Sequence, residues 1–225
     1  ADFALADARA FGRAPGGEPA WRISGSLEAR KGVGAFGASK GCGAGLVRCA
    51  AGVIAPSRPE GDPRAALVRI AATLEARVMP GVRLMLSPRA QYAARPLFAF
   101  EEFSAGTYTI GRGYDPGTLS GDSGAGVQAE VRLGSLAPRG PDAAAFQPFV
   151  FADVARVWNH DQAVAGQRNE SLASAGGGVR AVWGQRAFAD LTLAAPLSRA
   201  GAANRRGDLR ALLSLTIRMW PWRRD

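Results

Sequence analysis

The 225-residue sequence predicts an all-β fold, namely an antiparallel transmembrane β-barrel of which the chain carries about nine strands. Three observations lead there. Apolar and polar residues alternate with period two, the alternating segments reach about ten residues or more, and short connections alternate with long ones. A helical face would instead need apolar residues three and four positions apart, and these segments lack that spacing.

The predicted strands follow one another along the chain with little between them except turns and a few long loops. The last one shows the pattern plainly, since Leu213, Leu215 and Ile217 alternate with Ser214 and Thr216. The nine segments lie near residues 3–10, 19–31, 64–79, 81–94, 123–134, 146–158, 170–184, 186–198 and 208–220.

The connections fall into two classes at opposite ends of the strands. The mostly short ones are 11–18, Pro80-Gly81, 135–145 and Gln185-Arg186, and the longer ones are 32–63, 94–122, 159–169 and 199–207. Short periplasmic turns and long outer loops are typical of a membrane barrel. An odd number of strands that begins in mid-pattern does not close such a barrel, so we expect further strands upstream.

The polar face of the strands carries both signs of charge. It holds Arg22, Glu28, Arg30, Arg69, Glu75, Arg77, Arg83, Arg89, Glu130, Arg132, Asp153, Arg180, Asp190 and Arg218. Cross-strand ion pairs facing a water-filled lumen account for such a face. Aromatic residues near strand ends would form an interfacial girdle, namely Trp21, Tyr92, Trp158, Trp183 and Trp220. A soluble β-sandwich remains the alternative, because alternation alone also fits it.

Composition excludes several classes of function. No apolar run is long enough for a transmembrane helix, and the opening Ala-Asp-Phe predicts no signal peptide in this chain. The net charge of +9 comes from arginines that form no single run, so nucleic acid is not an expected partner. With a single histidine, His160, and two cysteines, no metal site and no cofactor are expected. Cys42 and Cys49 could form a local disulfide or remain free thiols.

The longest informative connection is 94–122. It contains Glu101 and Glu102, an arginine among glycines at 111–113, and a closing Gly-Asp-Ser-Gly. Loops of this length in a compact domain are functional or disordered, and the aromatic residues here disfavour disorder. We therefore predict an ordered excursion that places Arg112 against a carboxylate.

Several motifs in this order resemble one family. The stretch Ile110-Gly111-Arg112-Gly113-Tyr114 is similar to the V/I-R-G-Y/F lid-loop motif of the two-partner secretion transporters (TpsB, the haemolysin secretion/activation proteins), with an extra glycine before the arginine. Residues 151–155, Phe-Ala-Asp-Val-Ala, resemble that family's F-x-D-x-G strand, with alanine in the final place. Residues 190–197 resemble its penultimate strand. The resemblance covers residues 20–219.

The resemblance implies a barrel of roughly sixteen strands, of which these would be the C-terminal nine. Residues 94–122, here called the lid loop, would fold into the lumen, and periplasmic POTRA domains would lie upstream. The implied function is export of a large haemolysin- or adhesin-type protein across the bacterial outer membrane without an enzymatic step. The implied partners are the exported protein, outer-membrane lipid and the barrel assembly machinery.

The resemblance also implies the site residues. Arg112 would pair with Asp153 on the lumen wall beside Phe151, held by a tip of Gly111, Gly113 and Tyr114. In a watery lumen, screening limits such a pair to about 1 kcal/mol or a few. Glu130 could be a second partner of Arg112, although pairing with an arginine of a neighbouring strand is favoured. An ordinary solvated turn is the competing interpretation.

Other interpretations stay open at this point. Glu101 and Glu102 could neutralise lumen arginines, but a solvated pair is the more common case. The sequence around Ser123 is similar to that of a serine-protease nucleophile, yet no suitable base is evident and a hydrolase is not expected. The competing functions are an outer-membrane assembly factor of the same superfamily, an anion-selective porin and a soluble sandwich that binds a partner.

Overall fold

The computed structural model of the chain describes residues 2–13, 19–35, 37–38, 40–42, 48–49, 56–107, 109–160, 169–201 and 208–218. Nine long strands form one antiparallel sheet: β1 (Asp2–Arg13), β2 (Pro19–Lys31), β3 (Ala66–Met79), β4 (Val82–Ala93), β7 (Ser123–Leu133), β8 (Ala144–Trp158), β9 (Asn169–Trp183), β10 (Ala187–Pro196) and β11 (Arg210–Ile217). Two short strands, β5 (Phe103–Ala105) and β6 (Leu119–Gly121), pair separately.

The sheet is a meander in which each long strand pairs with the next one along the chain, in the order β1-β2-β3-β4-β7-β8-β9-β10-β11. This confirms the predicted all-β antiparallel architecture. Residues 219 and 220, predicted as the end of the last strand, and most of the 11–18 connection lie outside the described residues. The β5–β6 hairpin was not predicted, because three-residue strands carry too little alternation to be recognised.

Two of the short connections, Pro80-Gly81 and residues 184–186, are tight turns. β3 and β4 are joined through Pro80 and Gly81, where Gly81 has φ +74° and its carbonyl accepts a hydrogen bond from the Gly134 N–H at 2.7 Å. That hydrogen bond links the turn to the end of β7. The long connections begin and end at the opposite end of the sheet, as the lengths of the loops predict.

The two faces of the sheet have opposite polarity. Along β8 the outward side chains Phe146, Val150 and Val154 are 64%, 61% and 49% exposed, whereas the alternate residues Phe151 and Asp153 are 5% and 2% exposed. We call the first the outer face and the second the inner face. An apolar face left open over a whole sheet is unusual for a water-soluble protein and fits a lipid-facing barrel wall better than a sandwich.

The inner face is covered in part by the lid loop. Its apolar residues form one cluster with the inner face of β8 and β9, comprising Phe103, Ala105, Ile110, Tyr114, Leu119, Ala155, Val157, Leu172 and Ala200. A short 3-10 helix at Ala99–Glu101 and the β5–β6 hairpin shape the loop above this cluster. The excursion is therefore packed against the wall at these apolar residues.

Among the described residues, no helix has the length and apolarity needed to cross a membrane.

Candidate functional site

The tip of the lid loop is buried against the inner face. Ile110 and Tyr114 have no exposed surface. Burial of a large apolar side chain stabilises a fold by about 1.5–3 kcal/mol, so these two residues give the tip a substantial anchor. The tip is thus a seated element and not a solvated turn.

Glycine is required on both sides of Arg112. Gly111 has φ +109°, and a Cβ atom there would lie 2.7 Å from the Leu172 Cδ1 atom. A Cβ atom on Gly113 would lie 2.8 Å from the backbone of Ala195 and Pro196. The absence of these Cβ atoms lets the tip backbone touch β9 and β10.

Arg112 binds two carboxylates on the wall. Its Nε donates to Asp153 Oδ2 at 3.0 Å and its Nη2 to Asp153 Oδ1 at 2.8 Å, which is the bidentate arrangement. Its Nη1 donates to Glu130 Oε2 at 2.8 Å. The backbone N–H groups of Gly111 and Arg112 also donate to Asp153 Oδ2, at 3.3 and 3.0 Å. The guanidinium carbon lies 3.6 Å from the centre of the Phe151 ring.

The Arg112–Asp153 pair is shielded from water. The side chains of Arg112 and Asp153 are 13% and 0% exposed. The surroundings differ from the open, watery lumen that was expected, because the lid loop covers the wall at this pair. Burial lowers the pKa of the Arg112 guanidinium, but its hydrogen bonds to Asp153 and Glu130 outweigh that effect and raise the pKa above its ordinary value.

Glu130 on β7 joins several arginines. Besides Arg112 it accepts hydrogen bonds from Arg132 Nε at 2.6 Å and from Arg180 Nη2 at 3.0 Å. The two alternatives for Glu130 therefore coexist in one buried network. Arg132 continues to Glu75 on β3, and Arg180 continues to Asp190 on β10. The network therefore runs across the sheet from β3 to β10 and connects the lid tip to the middle of the sheet.

Tyr114 fixes the other side of the tip. Its hydroxyl lies 2.8 Å from the Ala173 carbonyl and 2.7 Å from the Ser198 carbonyl, and it accepts a hydrogen bond from the Ser198 N–H at 3.2 Å. A buried tyrosine hydroxyl needs such partners. The tip is consequently attached both to β9 and to the segment that follows β10.

The base of the lid loop is held by a second cluster around Asp122, which has no exposed surface. Asp122 accepts hydrogen bonds from Arg58 Nη1 at 2.6 Å, from the Leu97 N–H at 2.7 Å and from the His160 N–H at 2.7 Å. Arg58 also pairs with Glu102 at 2.6 Å. Three loops therefore converge on one carboxylate.

Glu101 and Glu102 are not a solvated pair, because both bind arginines. Glu101 pairs with Arg30 at 3.1 Å and with Arg69 at 2.8 Å, while Glu102 pairs with Arg58. The acidic pair neutralises arginines of the inner face and of an adjacent loop. The sequence identified these acids, but it held no signal for Arg58, which lies in a loop far from them along the chain.

The remaining candidate residues make contacts that hold the fold together. The Ser123 hydroxyl donates to the Ala93 carbonyl at 3.2 Å, and the His160 ring nitrogen Nε2 lies 2.7 Å from the same carbonyl. Cys42 and Cys49 form a disulfide with Cα atoms 5.0 Å apart. Among the described residues, no group of three or more histidine, cysteine, aspartate or glutamate side chains could hold a metal ion.

Comparisons with known proteins agree with this architecture. The family model for haemolysin secretion/activation proteins ShlB/FhaC/HecB matches residues 18–181. No curated protein matches the chain. Among solved structures, CdiB from Escherichia coli is similar at a TM-score of 0.67 and 16% identity, over 88% of this chain and 34% of that one. At this identity the likeness establishes the fold alone, and the chain spans about a third of the length of CdiB.

Proposed function

Because the chain belongs to the haemolysin secretion/activation family, ShlB/FhaC/HecB, we propose that it forms part of an outer-membrane β-barrel that exports a large secreted protein in two-partner secretion. The observation that carries the proposal is the seating of the lid loop on the charged inner face through Arg112, Asp153 and Glu130. The apolar outer face supports placement in lipid.

The proposed whole transporter is larger than this chain. We place residues 1–225 in the C-terminal part of a barrel of roughly sixteen strands, with POTRA domains upstream in the periplasm. The similarity to about a third of CdiB supports that size relation. The long connections then face the outside of the cell and the tight turns face the periplasm.

In the proposed mechanism the lid loop occupies the lumen in one defined position while an unfolded polypeptide passes. The bidentate pair of Arg112 with Asp153 sets that position, and Phe151 packs under the guanidinium. Glu130 links the lid tip to the arginines of the wall, so the lid and the wall behave as one unit. No bond is made or broken in the exported chain, and the work is conformational. The partners proposed are the haemolysin- or adhesin-type protein, membrane lipid and the assembly machinery.

The test uses the bacterium that carries the gene. The gene containing this chain is deleted, and the large exoprotein encoded beside it is measured in the culture supernatant and in the periplasm. Loss from the supernatant that is restored by the gene in trans supports the proposal. Unchanged secretion of the exoprotein in the deletion strain excludes it.

A further inference from the structure

On the outer face of strands β3, β4 and β7–β11 there is one positive charge. On β8 the outward positions are Phe146, Pro148, Val150, Ala152, Val154, Arg156 and Trp158. Within the described strands β3, β4 and β7–β11, the register places a single charged residue, Arg156, on the outer face. A charge on a lipid-facing surface is unfavourable unless it lies near the interface or has a partner, so this residue needs an explanation.

A groove opens on the outer face beside Arg156. It has a volume of about 430 Å³, and its lining includes Ile70, Pro88, Ala125, Val127 and Val154 together with Arg156. The strand register explains its shape, because Ala125 lies directly opposite both Ala90 and Arg156. The methyl groups of these alanines leave the depression between the larger side chains of β3 and β8.

Arg156 lies at the long-loop end of this groove. The pair Val127–Val154 lies two residues along the strands from Arg156, on the side of the tight turns. Trp158 lies two residues from Arg156 on the side of the long loops, where β8 ends. The guanidinium carbon of Arg156 is 5.7 Å from the centre of the Trp158 ring. Tryptophan at a strand end is typical of the membrane–water interface, where lipid headgroups lie.

The donors of Arg156 have no acidic partner in the part of the chain that the structure describes. This contrasts with the inner face, where Arg112, Arg132 and Arg180 each bind carboxylates. A guanidinium presents five N–H donors in a fork that fits a phosphate group as well as a carboxylate. Its neighbour across β9 is Ser171, which adds no charge.

From the groove and the charge together, we propose that this surface binds one phosphate-bearing membrane lipid. The acyl chain lies in the apolar groove between β3 and β8, and the headgroup phosphate binds Arg156 beside Trp158. The lipid belongs to the leaflet on the long-loop side, so the inference rests on the proposed placement of the barrel in the outer membrane. Charge complementarity selects an anionic lipid, and the apolar lining selects an amphiphile over free phosphate.

The experiment measures lipid binding to the full-length transporter in detergent. Bisphosphorylated lipid A is added in steps, and native mass spectrometry gives the fraction of protein with bound lipid. Arg156→Gln removes the charge, Arg156→Lys keeps it, and Ala125→Phe fills the groove. Arg139→Ala is the matched control, because it removes an exposed arginine from a connection at the tight-turn end.

We expect Arg156→Gln and Ala125→Phe to weaken binding about tenfold, as loss of one charge-assisted contact would. Arg156→Lys should lose less affinity, and Arg139→Ala should bind lipid A as the wild type does. Lipid A without its phosphates should bind the wild type as weakly as intact lipid A binds Arg156→Gln. Wild-type affinity in Arg156→Gln overturns the proposal, as does equal binding of lipid A with and without phosphates. A stable protein dimer that Arg156→Gln dissociates, without any change in lipid binding, would identify a second copy as the occupant and also overturn it.

The readout separates this inference from the proposed export function. Binding in detergent requires no exported partner, and membrane fractionation of the Arg156→Gln strain shows independently whether the barrel reaches the outer membrane. Loss of lipid binding with normal export leaves both proposals standing, whereas absent export by the wild-type transporter would contradict only the export function.

Discussion

Arg58 and Asp122 form a buried ion pair, with Nη1 2.6 Å from Oδ1 and side chains 12% and 0% exposed, that joins two loops 64 residues apart. The same carboxylate accepts the backbone N–H groups of Leu97 and His160. The lid loop is thus attached to its surroundings at two points, by Arg112 at the tip and by Asp122 at the base.

Asp122→Ala should loosen the base of the lid loop. Removing the carboxylate leaves the buried Arg58 guanidinium without one acidic partner, and breaking a buried pair from one side costs about 3–5 kcal/mol. Protease accessibility of the long loops in intact cells should rise several-fold. The control is Asp62→Ala, which breaks a pair with Arg95, whose side chain is 65% exposed. Equal protection of Asp122→Ala and wild type would contradict the anchoring role.

Arg112→Ala should reduce export of the partner exoprotein while the barrel stays at its normal level in the outer membrane. The variant leaves Asp153 and Glu130 without their shared donor on the shielded inner face. Arg112→Lys should restore export only in part, because an ammonium group cannot reproduce the bidentate fork. Exported protein is measured by immunoblot of the supernatant, with Arg139→Ala as the control. Wild-type export by Arg112→Ala would exclude a role for the pair.

The losses of export caused by Asp153→Asn and by Arg112→Ala should not add when the two substitutions are combined. Both remove the same contact, so the double variant should export about as much as the worse single variant. Strictly multiplicative losses in the double variant would indicate that the two residues act separately, despite the 2.8 Å between Nη2 and Oδ1.

Tyr114→Phe should destabilise the lid tip by about 1–3 kcal/mol, because it removes a hydroxyl and leaves buried backbone groups at Ala173 and Ser198 with fewer partners. The heat-modifiable shift of the folded barrel on electrophoresis should occur at a lower temperature. Tyr92→Phe is the matched control, since Tyr92 is 66% exposed. An identical transition temperature for Tyr114→Phe and wild type would contradict the anchor.

The sequence predicted the sheet well because its signal is local and repeated. Alternation over about eight or more residues identifies the long strands. The family resemblance carried by residues 110–114 and 151–155 is confirmed by the family match over residues 18–181. The β5–β6 hairpin and the Arg58–Asp122 pair were not predictable, since each depends on contacts between distant segments that leave no period in the chain.

The burial of the Arg112–Asp153 pair could also not be predicted from the sequence. Local pattern shows that Asp153 points inward, but it does not show that the lid loop packs on β8 and β9 through Ile110 and Tyr114. The energetic weight of a pair is set by what excludes water from it, and here that is the packing of the lid loop on β8 and β9.

Gly111→Ala should impair the lid tip more than its single methyl group would suggest. At φ +109° an L-residue is strained, and the added Cβ would meet the Leu172 Cδ1 atom at 2.7 Å and displace the backbone N–H groups from Asp153. Export should fall in parallel with Arg112→Ala. Gly140→Ala is the control, because a Cβ there meets nothing within 4 Å. If both glycine variants export equally well, the tip does not need its close approach to β9, and the positioning of Arg112 must come from its side chain alone.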